Sequence, residues 1–252
     1  MPGWVQAGLW GLLAGSALLL GAGIGYALKL SARMVAGVMA VGAGVLISAL
    51  SFDLMQEALE AGGMLATAFG FLSGATVYSA ANYLLTRRGA KHRKRSGDQQ
   101  KAELDNGGSG LAIALGALLD GIPESIVIGV SLLEGKGVST VTVIAVFLSN
   151  LPEGLSSAAG MKRSGRSKGY VFGVWSVIAL ASALAASLGY LSFGSAAPET
   201  IAATTAVAAG AILAMLSDTM MPEASEGSHE FTGVLTVLGF LAAFVFSHLG
   251  KH

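Results

Sequence analysis

Eight runs of almost uninterrupted apolar residues divide the chain, at roughly 4–28, 34–58, 62–86, 109–133, 138–160, 169–193, 199–222 and 231–249. A helix rises about 1.5 Å per residue, so roughly 20 residues cross a hydrocarbon core of about 30 Å. The connections are short except for residues 87–108, RRGAKHRKRSGDQQKAELDNGG, a basic and polar stretch that reads as a loop between the third and fourth runs. The pattern predicts an all-α integral membrane protein, with residues 1–252 forming a single transmembrane domain of eight helices. The first run is too long for a cleavable signal peptide and lacks its basic leader, so it is read as a retained helix.

Composition agrees with the pattern: 53% of residues are hydrophobic and 12% charged, and the mean hydropathy is +0.68. The 36 glycines suit helices that approach closely in lipid, where association relies on backbone contact. Cysteine is absent, which excludes disulfides and thiolate metal ligands. Alternating the connections across a bilayer places Lys29, Arg33, the basic residues from Arg87 to Lys101, and Lys162, Arg163, Arg166 and Lys168 on one side, leaving Lys136 and Lys251 on the other. The positive-inside rule makes the first side cytoplasmic, which predicts a multi-pass protein of the cell membrane with both termini outside the cytoplasm. The basic loop is taken as this topology signal, not as a nucleic-acid or anionic-lipid patch.

A repeat relates the second and seventh runs. AGVLISALSFDLMQEA (43–58) and AGAILAMLSDTMMPEA (209–224) are identical at seven of sixteen positions, including Leu50/Leu216, Ser51/Ser217, Met55/Met221, Glu57/Glu223 and Ala58/Ala224. The two runs cross in opposite directions in this topology, as in secondary transporters built from inverted repeats.

The fourth and fifth runs carry the candidate chemistry, in LDGIPES (119–125) and LSNLPEG (148–154). Proline removes a backbone donor and crowds the carbonyl four residues back, so Pro123 and Pro152 are expected to kink their helices and expose backbone. Such backbone is tolerated at membrane depth only in protein or beside a water-filled cavity. Asp120 and Glu124 share a helix face at i, i+4, and Asn150 and Glu153 do so at i, i+3. All four fall near the middle of their spans, where ionisable groups mark ion paths, proton relays or paired counter-ions. With every Lys and Arg assigned to helix ends or loops, no internal cation is expected to neutralise the acids. Asp120, Glu124, Asn150 and Glu153 are therefore the candidate ligands of a divalent metal ion, which oxygen donors suit. The plain alternative is that these side chains only hydrogen-bond the kinked helices.

With these motifs the chain resembles the ZIP (Zrt/Irt-like) family of divalent metal transporters, whose fourth and fifth helices carry His-Asn-x-Pro-Glu-Gly and His-Glu-x-Pro-Glu-Gly. The resemblance extends to eight spans, outward termini, a basic loop after the third span, and Glu-Ala endings on the repeat motifs. It implies a 3+2+3 arrangement with helices 1–3 and 6–8 inversely related, and a transport site between helices 4 and 5. Pro123, Glu124, Pro152 and Glu153 match the family motifs. Asp120 stands where the family has histidine, Gly121 where it has asparagine, Ser149 for the second histidine and Asn150 for the acidic residue beside it. These departures replace the nitrogen donors that suit zinc and imply a single, oxygen-rich site.

The expected activity is transport of a divalent cation (zinc, iron, manganese or similar) toward the cytoplasm, the cation being cargo and not a resident cofactor. Asp53 and Glu57 are placed as an entrance and Asp218 and Glu223 as an exit, with His229 beside it; each of these also reads as an ordinary interfacial polar residue. A homodimer is compatible with the sequence. The alternative is a proton-coupled carrier of another solute, with Asp120, Glu124 and Glu153 as the relay. Enzyme activity is not expected, because no His-Glu-x-x-His, Gly-x-Ser-x-Gly or paired-aspartate motif is found. The topology is checked by labelling: a probe near Lys94 should react only from the cytoplasm and one near residue 61 only from outside, and the reverse result would overturn the charge argument.

Overall fold

The computed structural model describes residues 1–88, 90–93, 109–134, 137–227 and 230–249; Lys94, Lys136, His229, Lys251 and His252 lie outside the described residues. The described residues form helices and turns and no strand. They comprise α1 (Gly3–Ala27), α2 (Ala32–Ala49), a π segment (Leu50–Leu54), α3 (Met55–Arg87), α4 (Ser109–Ser131), α5 (Thr140–Arg163) and α6 (Lys168–Phe193). These are followed by α7 (Pro198–Met215), a second π segment (Leu216–Met220), α8 (Met221–Gly227) and α9 (Thr232–Leu249). Single 3₁₀ turns follow α3 (Ala90–His92) and α4 (Leu132–Glu134).

Helix starts follow local chemistry. Ser31, Ser139 and Ser167 accept hydrogen bonds from the backbone N–H three residues on, satisfying a donor that the first turn leaves open. α7 begins instead on Pro198, where the missing N–H costs nothing. Pro123 and Pro152 both lie inside continuous helices, as the motifs place them.

Six helical stretches among the described residues are long and apolar enough to cross a membrane, and Thr232–His248 is a shorter apolar helix. The longest stretch, Ala32–Arg87, runs for 56 residues and breaks at Gly63, whose φ of 71° an L side chain rarely adopts. The chain reverses there. Glu57 shares a cavity with Ser131 at the end of α4, whereas Tyr78 bonds Asp120 near its middle, so α3 runs against α4. α2 runs along α4, since Leu46, Leu50 and Leu54 border Glu124 and Val127 while Asp53 and Glu57 reach Ser131. Leu65, Phe69, Leu72, Val77, Leu180, Leu184, Leu188, Val234, Leu238 and Phe246 are exposed on α3, α6 and α9, as in a bundle surrounded by lipid.

The repeat seen in the sequence extends to unusual backbone geometry. α2, its π segment and the start of α3 recur 166 residues later as α7, the second π segment and α8, with every boundary at the equivalent residue. Within the π segments Met55 N–H bonds Leu50 C=O and Met221 N–H bonds Leu216 C=O, each one residue further back than in an α-helix.

Packing follows the same exchange. α2 lies on α9 as α7 lies on α3, and α1 lies on α5 as α6 lies on α4. A Cβ on Gly44 would strike Thr236 C=O, and one on Gly239 would strike Val41 C=O; across the other pair Gly210 meets Phe71 C=O and Gly74 meets Val207 C=O. Similarly, Gly154 meets Leu18 C=O and Gly129 meets Ala186 C=O. α1 and α6 pack antiparallel, Gly3 beside Tyr190 and Gly15 beside Ala179. The apolar core lies between the two π segments and gathers Met39, Leu46, Leu50, Leu54, Tyr78, Met215, Leu216 and Met220.

Because the obstructing atoms are backbone, they cannot swing away. Gly44→Ala and Gly210→Ala should each destabilise the protein by about 1–3 kcal/mol through overpacking. Gly23→Ala, with nothing near its Cβ position, serves as the control. Thermal unfolding in detergent tests this, and equal midpoints for all three variants would contradict it.

Candidate functional site

Asp120, Glu124, Asn150 and Glu153 are all buried, with relative exposures of 2, 2, 4 and 5%. They do not form one cluster of ligands: among the described residues, no three His, Cys, Asp or Glu side chains are gathered closely enough to hold a metal ion. Each has a different neighbourhood.

Asp120 is answered by a cation, which corrects the expectation that no basic residue enters the bundle. Arg93, in the turn after α3, is 2% exposed and forms a two-pronged ion pair, Nε to Oδ2 at 2.9 Å and Nη2 to Oδ1 at 2.8 Å. Its other bonds go from Nη2 to Tyr78 Oη at 3.0 Å, and from Nη1 to Asn82 Oδ1 at 2.9 Å and Ala90 O at 3.2 Å. A guanidinium has five N–H groups, and these five bonds give each an acceptor. The Tyr78 hydroxyl in turn donates to Asp120 Oδ1, and Asn82 Nδ2 donates to Asp218 Oδ2 at 3.0 Å. Gly116, one turn before Asp120 on α4, makes room for this arm: a Cβ there would lie 2.5 Å from Arg93 Cδ. The expectation failed because a basic residue in a basic loop is ordinarily solvated; only the niche at Gly116 and the acceptors on α3 draw this one inside. Tyr78 and Asn82, polar residues at i, i+4 in an otherwise apolar span, were the signal in the sequence that this face of α3 serves a polar partner.

Glu153 lies within electrostatic reach of Arg93 and Tyr78. Glu124 borders a nearly filled apolar layer of Leu46, Leu50, Leu54, Val127, Val146 and Ile212, with about 10 Å³ of free space. Asn150 uses its amide nitrogen to bond Ala14 O on α1 at 3.0 Å. Glu223, 6% exposed, accepts from Ser156 Oγ at 3.0 Å. Ser156, one turn beyond Glu153's neighbour Pro152 on α5, is a polar site residue that the motifs did not single out.

Cavities lie at opposite ends of the bundle. At the Gly63 end, a cavity of about 600 Å³ is lined by Asp53, Gln56, Glu57, Glu60, Ser131 and Ser139, and Ser247 donates to Asp53 Oδ1 at 2.8 Å. At the Arg93 end, a cavity of about 400 Å³ is lined by Ser79, Asn82, Tyr83, Thr86, Lys91, Arg93, Asp218 and Thr219. The repeat-related glutamates therefore differ: Glu57 is half-buried beside the larger cavity, whereas Glu223 is enclosed.

Comparisons with protein-family models and with curated protein sequences find no match for this chain.

Tyr78 bridges both members of the ion pair, so Tyr78→Phe removes a donor from Asp120 and an acceptor from Arg93. It should lower the unfolding free energy by about 1–3 kcal/mol, the cost of a buried polar group that loses its partner. Tyr83→Phe, on the exposed side of α3, should stay within about 0.5 kcal/mol. Denaturation in detergent compares the two, and equal stabilities would mean that the hydroxyl of Tyr78 contributes nothing to the pair.

Proposed function

We propose that the chain is a multi-pass carrier of a divalent metal cation, a divergent relative of the ZIP transporters. The 56-residue stretch counts as two spans divided at Gly63 and the shorter apolar helix α9 counts as one, making eight in a 3+2+3 arrangement. The Arg93 end faces the cytoplasm, following the excess of basic residues in its loops. One observation carries this reading: carboxylates on α4, α5 and α8 are buried in an apolar helical bundle between two cavities at its opposite ends. Asp120, Glu124, Glu153 and Glu223 are a high density of acidic groups for the interior of an apolar bundle, and such groups mark ion paths and proton relays.

The unequal surroundings of Glu57 and Glu223 support alternating access. Two repeats of one motif occupy different states, one beside an open cavity and one enclosed, as expected when a carrier opens on one side at a time. Cargo entering at the Gly63 end meets Asp53, Glu57 and Glu60, then the apolar layer over Glu124, then Glu153 and Asp120. Oxygen donors alone suit manganese and magnesium, while the Irving–Williams order still allows tight binding of zinc.

A second reading, a proton-coupled carrier of another solute, is favoured by the lack of three gathered ligands among the described residues. Its relay is the set of buried carboxyls Asp120, Glu124 and Glu153, with the Tyr78 hydroxyl donating to Asp120. Metal content of the purified protein and metal uptake by proteoliposomes separate the two. Glu124→Gln and Glu153→Gln should each abolish metal uptake while leaving insertion intact, since neutral side chains enter the membrane at lower cost. Undiminished metal uptake by either variant would sink the metal assignment, and solute uptake driven by a proton gradient would establish the alternative.

A further inference from the structure

Arg93 occupies the position that the metal reading gives to cargo. It supplies positive charge to Asp120, and it reaches that position from a short turn, Ala90–His92, not from the interior of a spanning helix. Its stem lies in a niche that only a glycine leaves open, and Ala90 beneath it is wholly buried, so guanidinium and turn are docked as a unit. The guanidinium also lines the cavity at the Arg93 end, so the arm closes that cavity off from Asp120. The cation thus sits on a turn between Asp120 on its inner side and a cavity of about 400 Å³ on its outer side.

We propose that Arg93 is the exchangeable internal cation of the transport site: a divalent ion replaces its guanidinium on Asp120, and the 90–93 turn then withdraws toward the cytoplasmic cavity. This rests on the metal reading above. Exchange explains how Asp120 is kept paired in a dry bundle when no cargo is bound, since a lone buried carboxylate would be costly. It also confers selectivity. A monovalent ion offers Asp120 no more charge than the guanidinium and lacks its two-pronged geometry, whereas a divalent ion offers twice the charge and attracts Glu153 as well. In this role Arg93 is a specificity-determining residue.

The chain has no native cysteine, so a single engineered thiol reports cleanly. Ala90→Cys, with Arg93 retained, places a thiol under the docked arm in the full-length protein. Its rate of modification by a polar maleimide is read in detergent with manganese(II), alongside equilibrium dialysis of manganese on the same sample. Saturating manganese should raise the rate at least tenfold, and potassium at equal ionic strength should not. In parallel, Arg93→Gln should bind manganese at least tenfold more tightly than the unsubstituted chain, because the internal competitor is gone; a structural role would leave affinity equal or lower. Manganese bound without a change in labelling, or unimproved affinity in Arg93→Gln, overturns exchange and leaves the metal reading standing. Absence of manganese binding in both chains overturns exchange together with the metal reading.

Discussion

Close approach of one helix backbone to another is the constraint on which the rest of this structure depends. In lipid there is no hydrophobic gain from bringing two apolar helices together, so association relies on packing and on contacts that only small residues permit. Here glycines face carbonyl oxygens across the α2–α9, α3–α7, α1–α5 and α4–α6 pairs, and no Cβ would fit between them. Because the α2–α9 and α3–α7 contacts recur at equivalent residues of the two repeats, they set the same helix spacing in both. The π segments fall on the same relation. Each widens a helix by one residue just before the Met-x-Glu-Ala that the two repeats share, so Glu57 and Glu223 are delivered from equivalent turns into unequal surroundings.

A bundle held by such contacts has little space, and what is polar inside it must be answered there. The Asp120–Arg93 pair meets this requirement with two charge-assisted bonds and three further acceptors, which makes it self-contained. Glu223 meets it through Ser156, and buried Asn82 through Arg93 and the exposed Asp218. Removing a single partner from such a network leaves a charge or a donor in a dry place, so these groups act together. The network joins α3, the 90–93 turn, α4 and the π segment after α7, and all of these but α4 line the cavity at the Arg93 end. Polar pairing and closure of that end are thus the same set of contacts. At the Gly63 end, by contrast, Asp53, Glu57 and Glu60 line a cavity of about 600 Å³, with Ser247 of α9 bonded to Asp53.

The amino-acid sequence by itself determined the helices, their apolar character, the repeat and the burial of the Pro-Glu motifs. These are local matters: the long apolar runs form helices that avoid water, and Met-x-Glu-Ala at equivalent positions marks equivalent backbone geometry, each following a π segment. Gly63 was not legible in this way: it falls inside the third apolar run, 62–86, and the break there emerged only in the structure. The partners of the buried acids were decided only in the tertiary structure. Arg93 stands among six other basic residues in a polar stretch, and nothing local separates it from Arg87 or Lys91. It is drawn inside because Gly116 of α4 leaves a niche and Tyr78, Asn82 and Asp120 converge on its five N–H groups, a juxtaposition of two helices and a turn. The same holds for Asn150, whose spacing from Glu153 put both on one face but whose amide is taken by Ala14 of α1. Periodicity places a side chain on a face of its own helix. Which atoms meet it there depends on the other helices, and charge in a dry interior follows the atoms it meets.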